Sequence, residues 1–160
     1  MAYRQDSSTG NQPNPTETAF LAFLNTTVTN VTGDATQYTV IFDTEVFDQG
    51  SNFNLATSVF TAPITGRYAI DVGNNIQGTG TLTQIICRLV TSNRTYRIPM
   101  SFSLGFTTVA SSYFSILADM DLGDTFTVTI TATDSSGKVV NVFGTLSSEV
   151  RTWVSANFVC

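Results

Sequence analysis

Thr125-Phe126-Thr127-Val128-Thr129-Ile130-Thr131-Ala132-Thr133 alternates threonine and apolar side chains without a break. A pleated strand sends successive side chains to opposite faces. The spacing therefore puts Phe126, Val128, Ile130 and Ala132 against a core and turns the threonines outward. Arg67-Tyr68-Ala69-Ile70-Asp71-Val72 alternates in the same way, with Tyr68, Ile70 and Val72 inward. Further candidate strands cover residues 20–24, 38–42, 58–61, 85–90, 96–99, 113–118, 138–143 and 152–159. Turn chemistry separates them at Thr32-Gly33-Asp34, Asp48-Gln49-Gly50, Pro63-Ile64-Thr65-Gly66, Gly78-Thr79-Gly80, Leu122-Gly123-Asp124 and Asp134-Ser135-Ser136-Gly137. No segment sustains a period of 3.6 residues. About ten short strands in one unit predict an all-β, two-sheet antiparallel jelly-roll sandwich with little helix.

Composition narrows the function. At 160 residues the chain is one domain's length, and its charged share of 12% is about half that of ordinary globular chains. Net charge is −5, carried against one lysine, Lys138, and six scattered arginines. A basic footprint for nucleic acid is absent, and no apolar run is long enough to insert in a membrane. Without histidine, every scheme that needs an imidazole base is lost, as are most zinc sites. Two cysteines make no disulfide framework. Cys87, within Ile85-Ile86-Cys87, reads as a packing residue, while Cys160 ends the chain where a thiol can crosslink. Gly78-Thr79-Gly80 lacks the lysine and the following helix of a phosphate loop. Asp119, Asp121 and Asp124 place carboxylates where calcium could sit, but without the twelve-residue EF-hand loop they read as a solvated turn. Sequons beginning at Asn25, Asn30 and Asn93 carry little weight without a secretory leader. The expectation is a protein that is not an enzyme, with no cofactor and no metal.

Two regions differ in character. Residues 1–17 are polar and rich in Ser, Thr, Asn and Pro, and lack the apolar stretch of a leader peptide. They read as an N-terminal arm, followed by a head over 18–160. The arm is either a loose tail or an extended segment that orders against a neighbour; Tyr3, Arg4, Gln5, Asn11, Pro13 and Pro15 are its attachment candidates.

The order of motifs along the head is specific. After Phe20-Leu21-Ala22-Phe23-Leu24 come Val40-Ile41-Phe42-Asp43 and, past Gln49-Gly50, Phe53. Phe60-Thr61-Ala62-Pro63-Ile64-Thr65-Gly66-Arg67-Tyr68 follows, then Leu122-Gly123-Asp124-Thr125-Phe126, and Trp153-Val154-Ser155-Ala156-Asn157-Phe158-Val159 closes the chain. This succession resembles the globular head of complement component one q, a branch of the tumour necrosis factor-like jelly rolls, over residues 19–160. Within it Pro63 and Gly66 build a turn, Gly66 supplying a backbone angle that other residues resist. Phe60 and Tyr68 anchor the sandwich interior. Ala156 stands where the family usually has glycine, and no Gly-X-Y stalk precedes the head. The resemblance implies a compact homotrimer with the opening and closing strands at the threefold axis. Phe20, Phe23, Trp153 and Phe158 on those strands are the expected interface residues.

Two function classes fit. One is a structural protein of a virus particle, made in the host cytosol and displayed on the virion surface: a trimeric bacteriophage capsid decoration protein held through its arm, or a fibre tip knob. The threonine surface suits it, since a β-branched hydroxylated side chain solvates a sheet and loses little entropy on contact. The other is a secreted, complement-like ligand-binding module.

Overall fold

The computed structural model describes residues 17–78, 82–100, 109–146 and 148–160. Among them run β1 (Ala19–Phe23), β2 (Val28–Thr32), β3 (Gln37–Thr39), β4 (Thr44–Gln49), β5 (Phe53–Asn54), β6 (Val59–Thr61), β7 (Gly66–Gly78), β8 (Gln84–Thr91), β9 (Thr95–Met100), β10 (Val109–Met120), β11 (Thr125–Thr133), β12 (Val140–Val142) and β13 (Trp153–Phe158). They form two antiparallel sheets and no α-helix among the described residues. The first sheet runs β2-β12-β7-β13-β1-β4, with β10 along the other edge of β7; the second runs β5-β6-β11-β8-β9, with β3 also on β11. The fold is the expected jelly roll.

The expected inward set of β11 is buried, and so are Phe60, Tyr68, Ile70 and Val72. An aromatic stack ties the sheets together: the Phe20 ring lies 4.4 Å from Phe53 and 5.3 Å from Phe60, and Phe60 lies 5.1 Å from Phe126. Tyr68 packs edge-on to Phe60 at 5.6 Å and donates its hydroxyl to the Ile64 carbonyl at 2.8 Å, so its one polar atom is satisfied. Cys87 is buried in this core, where Asn74 Nδ2 donates to its Sγ at 3.1 Å.

Three expectations need correction. The strands number thirteen among the described residues rather than about ten, because β2, β4 and β5 are short or lack clean alternation. The β11 threonines do not all face water: Thr129 is 2% and Thr131 8% exposed. β11 is an interior strand, flanked by β8 on one edge and by β6 and β3 on the other. Neighbouring side chains close over it, and Arg88 Nη1 donates to Thr131 Oγ1 at 2.8 Å. Gly66, finally, is not among the glycines with positive φ. Its role is space, for a Cβ there would meet the Phe158 ring at 2.4 Å and the Cys160 carbonyl oxygen at 2.5 Å. The positive angle belongs to Gly123, at φ +89°, which turns the chain into β11.

Candidate assembly face

The first sheet has one face in the sandwich and one open. Along β1 the register settles which side chains go where: Phe20, Ala22 and Leu24 point in, leaving Ala19, Leu21 and Phe23 on the open face. Phe20, expected at a subunit interface, is therefore a core residue at 1% exposure, held by three stacked rings. Phe158, expected there too, is half-buried and packs edge-on to Tyr68 at 5.4 Å, at the margin of the core. Phe23 and Trp153 are direct cross-strand partners and lie on the open face.

Around that pair is an apolar groove of about 480 Å³, lined by Leu21, Phe23, Val46, Phe47, Val150, Trp153 and Ser155. Its outer wall depends on an irregularity. β4 pairs Phe47 with Leu21 and Glu45 with Ala22, so the register shifts at Val46. This bulge leaves Val46 and Phe47 both exposed beside Leu21. On the opposite rim, Val150 precedes β13 and is fixed by its neighbours. Asn75 Nδ2 donates to the Arg151 carbonyl at 2.7 Å, and the Arg151 guanidinium lies over the Phe143 ring at 5.5 Å and 3.8 Å from Glu149.

Beyond the groove stands a ridge. Tyr113 and Leu117 project from β10 at 65% and 57% exposure. The Tyr113 ring reaches over Gly73 toward Trp153, with centroids 5.9 Å apart. Gly73 makes this possible, since a Cβ there would meet Trp153 Nε1 at 2.4 Å. Tyr113 donates its hydroxyl to Asp71 Oδ1 at 3.1 Å, and that bond, with the carboxylate's charge, raises the phenol's pKa. Leu21, Val46, Phe47, Val150, Tyr113 and Leu117 were not singled out from sequence. The adjacent apolar pair Val46-Phe47 within an acidic stretch was the available signal.

The remaining candidates resolve into structural parts. Asp124 Oδ2 accepts from the Asp121 amide at 2.7 Å and from Asn93 Nδ2 at 2.5 Å, so this carboxylate ties the turn before β11. Among the described residues no group of three or more His, Cys, Asp or Glu is placed to hold a metal, Asp119 included. Burial pushes the Cys87 thiol up to about 12, away from nucleophilic use. Tyr3, Arg4, Gln5, Asn11, Pro13 and Pro15 lie outside the described residues.

No family model and no curated protein sequence matches the chain. Solved structures do. The globular domain of zebrafish complement 1qA superposes with a TM-score of 0.61 at 16% identity, covering 90% of this chain and 98% of that one. Murine APRIL gives 0.58 at 14% identity, covering 89% and 99%. The Eiger TNF of S. frugiperda gives 0.54 at 11% identity, covering 90% and 94%. The chain thus has the complement head and tumour necrosis factor-like fold.

Proposed function

We propose that this chain is a non-enzymatic structural head that closes into a homotrimer through the open face of the first sheet and, as a trimer, decorates a bacteriophage capsid. The observation that carries the assembly is the presence, on one face, of an apolar groove and an adjoining apolar ridge. Two different patches that fit each other make a heterologous contact, and such contacts close into rings. The resemblance to the complement head implies a ring of three. Leu117 and Phe47 are already about half covered. Burying the rest of each is worth roughly half of the 1.5–3 kcal/mol of a fully exposed side chain, and several per interface offset part of the cost of association.

Support for the particle reading comes from composition. The sheets are rich in threonine and poor in lysine, and the polar arm preceding β1 offers backbone and amide groups for extended pairing. Three arms on one trimer raise attachment beyond any single arm's contacts. Light scattering on the purified chain tests the trimer. Particles lacking the protein then test the role, using the full chain and a form without residues 1–17. Binding by the full chain alone supports capsid attachment through the arm, while equal binding moves attachment to the head. Failure of both favours a fibre tip or a secreted ligand-binding module, a second reading that the likeness to a complement head and to APRIL supports.

A further inference from the structure

The two sheets differ in charge. The strands of the first sheet hold Glu45, Asp48, Asp71 and Asp119 against Arg67. Those of the second hold Arg88 and Arg97 and no acidic residue at all. In a chain of net charge −5 this leaves the strands of the second sheet positive, with Asp124 and Asp134 at the two ends of β11. The two arginines are directly opposed across the β8–β9 ladder, and both point away from the core that Ile85, Cys87 and Leu89 enter. Like charges directly opposite one another destabilise a sheet. Among the described residues no ion pair offsets them: Arg88 bonds Thr131, Arg97 Nη2 donates to Gln84 Oε1 at 3.2 Å, and the ion pair found there is that of Glu149 with Arg151, elsewhere.

The same cross-strand row continues from Arg97 and Arg88 to Thr129 and Thr39. Thr129 is 2% exposed, and its hydroxyl has no hydrogen-bond partner. A buried unsatisfied hydroxyl costs free energy, as does the arginine pair. The Thr129 hydroxyl is sealed beneath its neighbours, so an oxyanion seated on the row relieves the arginine pair alone, by taking the guanidinium forks. Two cations are far too few for a nucleic-acid track. Pro99 removes an N–H from edge strand β9, which discourages strand addition and leaves the face as the contact surface.

We propose that the outward pair Arg97–Arg88 is a docking site for carboxylates of an acidic segment on a partner protein. The site is independent of whether the opposite sheet joins copies of the chain. Fluorescence anisotropy of labelled hexaglutamate with the full-length protein tests it, in roughly 20 mM salt, where screening is weak. Saturable binding is expected, with Arg88→Gln and Arg97→Gln each weakening it about tenfold and Arg67→Gln, on the other sheet, leaving it unchanged. Absence of saturable binding overturns the proposal, as does binding that survives the double variant. Inorganic phosphate competing as well as hexaglutamate overturns the assignment to an acidic protein. Melting of the unliganded variants guards against misfolding: loss of the mutual repulsion makes Arg97→Gln at least as heat-stable as the parent, and a fall in its midpoint overturns the claim that the pair is unfavourable.

Discussion

Phe60 and Lys138 mark the two ends of what a single side chain does in this fold. Phe60 is fully buried and touches Phe20, Tyr68 and Phe126 ring to ring. Phe60→Ala leaves a cavity that those rigid rings cannot fill, at a cost of about 3–5 kcal/mol. Lys138 is exposed beside a turn, so Lys138→Ala stays within about 0.5 kcal/mol of the parent. Urea titration of both variants measures the contrast, and equal midpoints would refute the packing assigned to Phe60. Cys87 gives a pH-dependent case. Its ordinary value of 9.0 is raised to about 12 by burial, so the unfolded chain releases this proton at lower pH than the folded one. The neutral thiol's contribution is complete below pH 9.0 and is lost as pH climbs toward 12. Cys87→Ala should therefore lose stability less steeply than the parent in that window, and an unchanged alkaline slope counts against burial. Alternation with threonine made the inward face of β11 legible, whereas the resemblance to the complement head placed Phe60 inward and the apolar run Ile85-Ile86-Cys87 placed Cys87. Phe20 was not: Phe-Leu-Ala-Phe-Leu is apolar throughout, and only the pairing of β1 with β13 and β4 decides that Phe20 goes in and Leu21 out.

Strands show the same division. β11 and the first half of β7 follow from periodicity, yet β7 continues past Val72 to Gly78 through Gly73-Asn74-Asn75, a stretch the alternation does not reach. It extends because Asn74 finds an acceptor in Cys87, and Asn75 a bond to Arg151, inside the tertiary structure. The bulge at Val46 left the apolar pair Val46-Phe47 as its one signal, and two consecutive apolar residues carry no period that would name a face. Both features build the open face, which is why the sequence pointed to Phe23 and Trp153 but missed most of the groove. The junction of β7 with the end of β13 carries its own prediction. Gly66→Ala drives a methyl into the Phe158 ring and the Cys160 carbonyl, and the overpacking costs about 1–3 kcal/mol. Truncating the obstacle with a second change, Phe158→Ala, should recover part of that loss in a double-mutant cycle. Strict additivity would mean that the two groups do not meet.

At the scale of the molecule, a groove and a ridge on one sheet make assembly directional. In the proposed trimer each subunit offers Tyr113 and Leu117, exposed on β10, to one neighbour and its Val46 wall to another. Chelators should not disturb the assembly, because apolar burial requires no ion. Leu117→Asp spoils the ridge and leaves the groove intact; Val46→Asp does the reverse. Both side chains are exposed in the single subunit, so neither change disturbs the core, and each variant alone should sediment as a folded monomer. A mixture behaves differently in a heterologous arrangement. The intact ridge of the Val46→Asp chain meets the intact groove of the Leu117→Asp chain, while the remaining ridge and groove are both spoiled. Equimolar mixing should thus yield a dimer of unlike chains that grows no further. In an isologous contact, where one patch meets its own copy, the mixture would place a spoiled patch in every pair. Analytical ultracentrifugation separates these outcomes: a one-to-one heterodimer supports the ring, whereas monomers in the mixture, or trimers of either variant alone, rule out the groove-and-ridge interface.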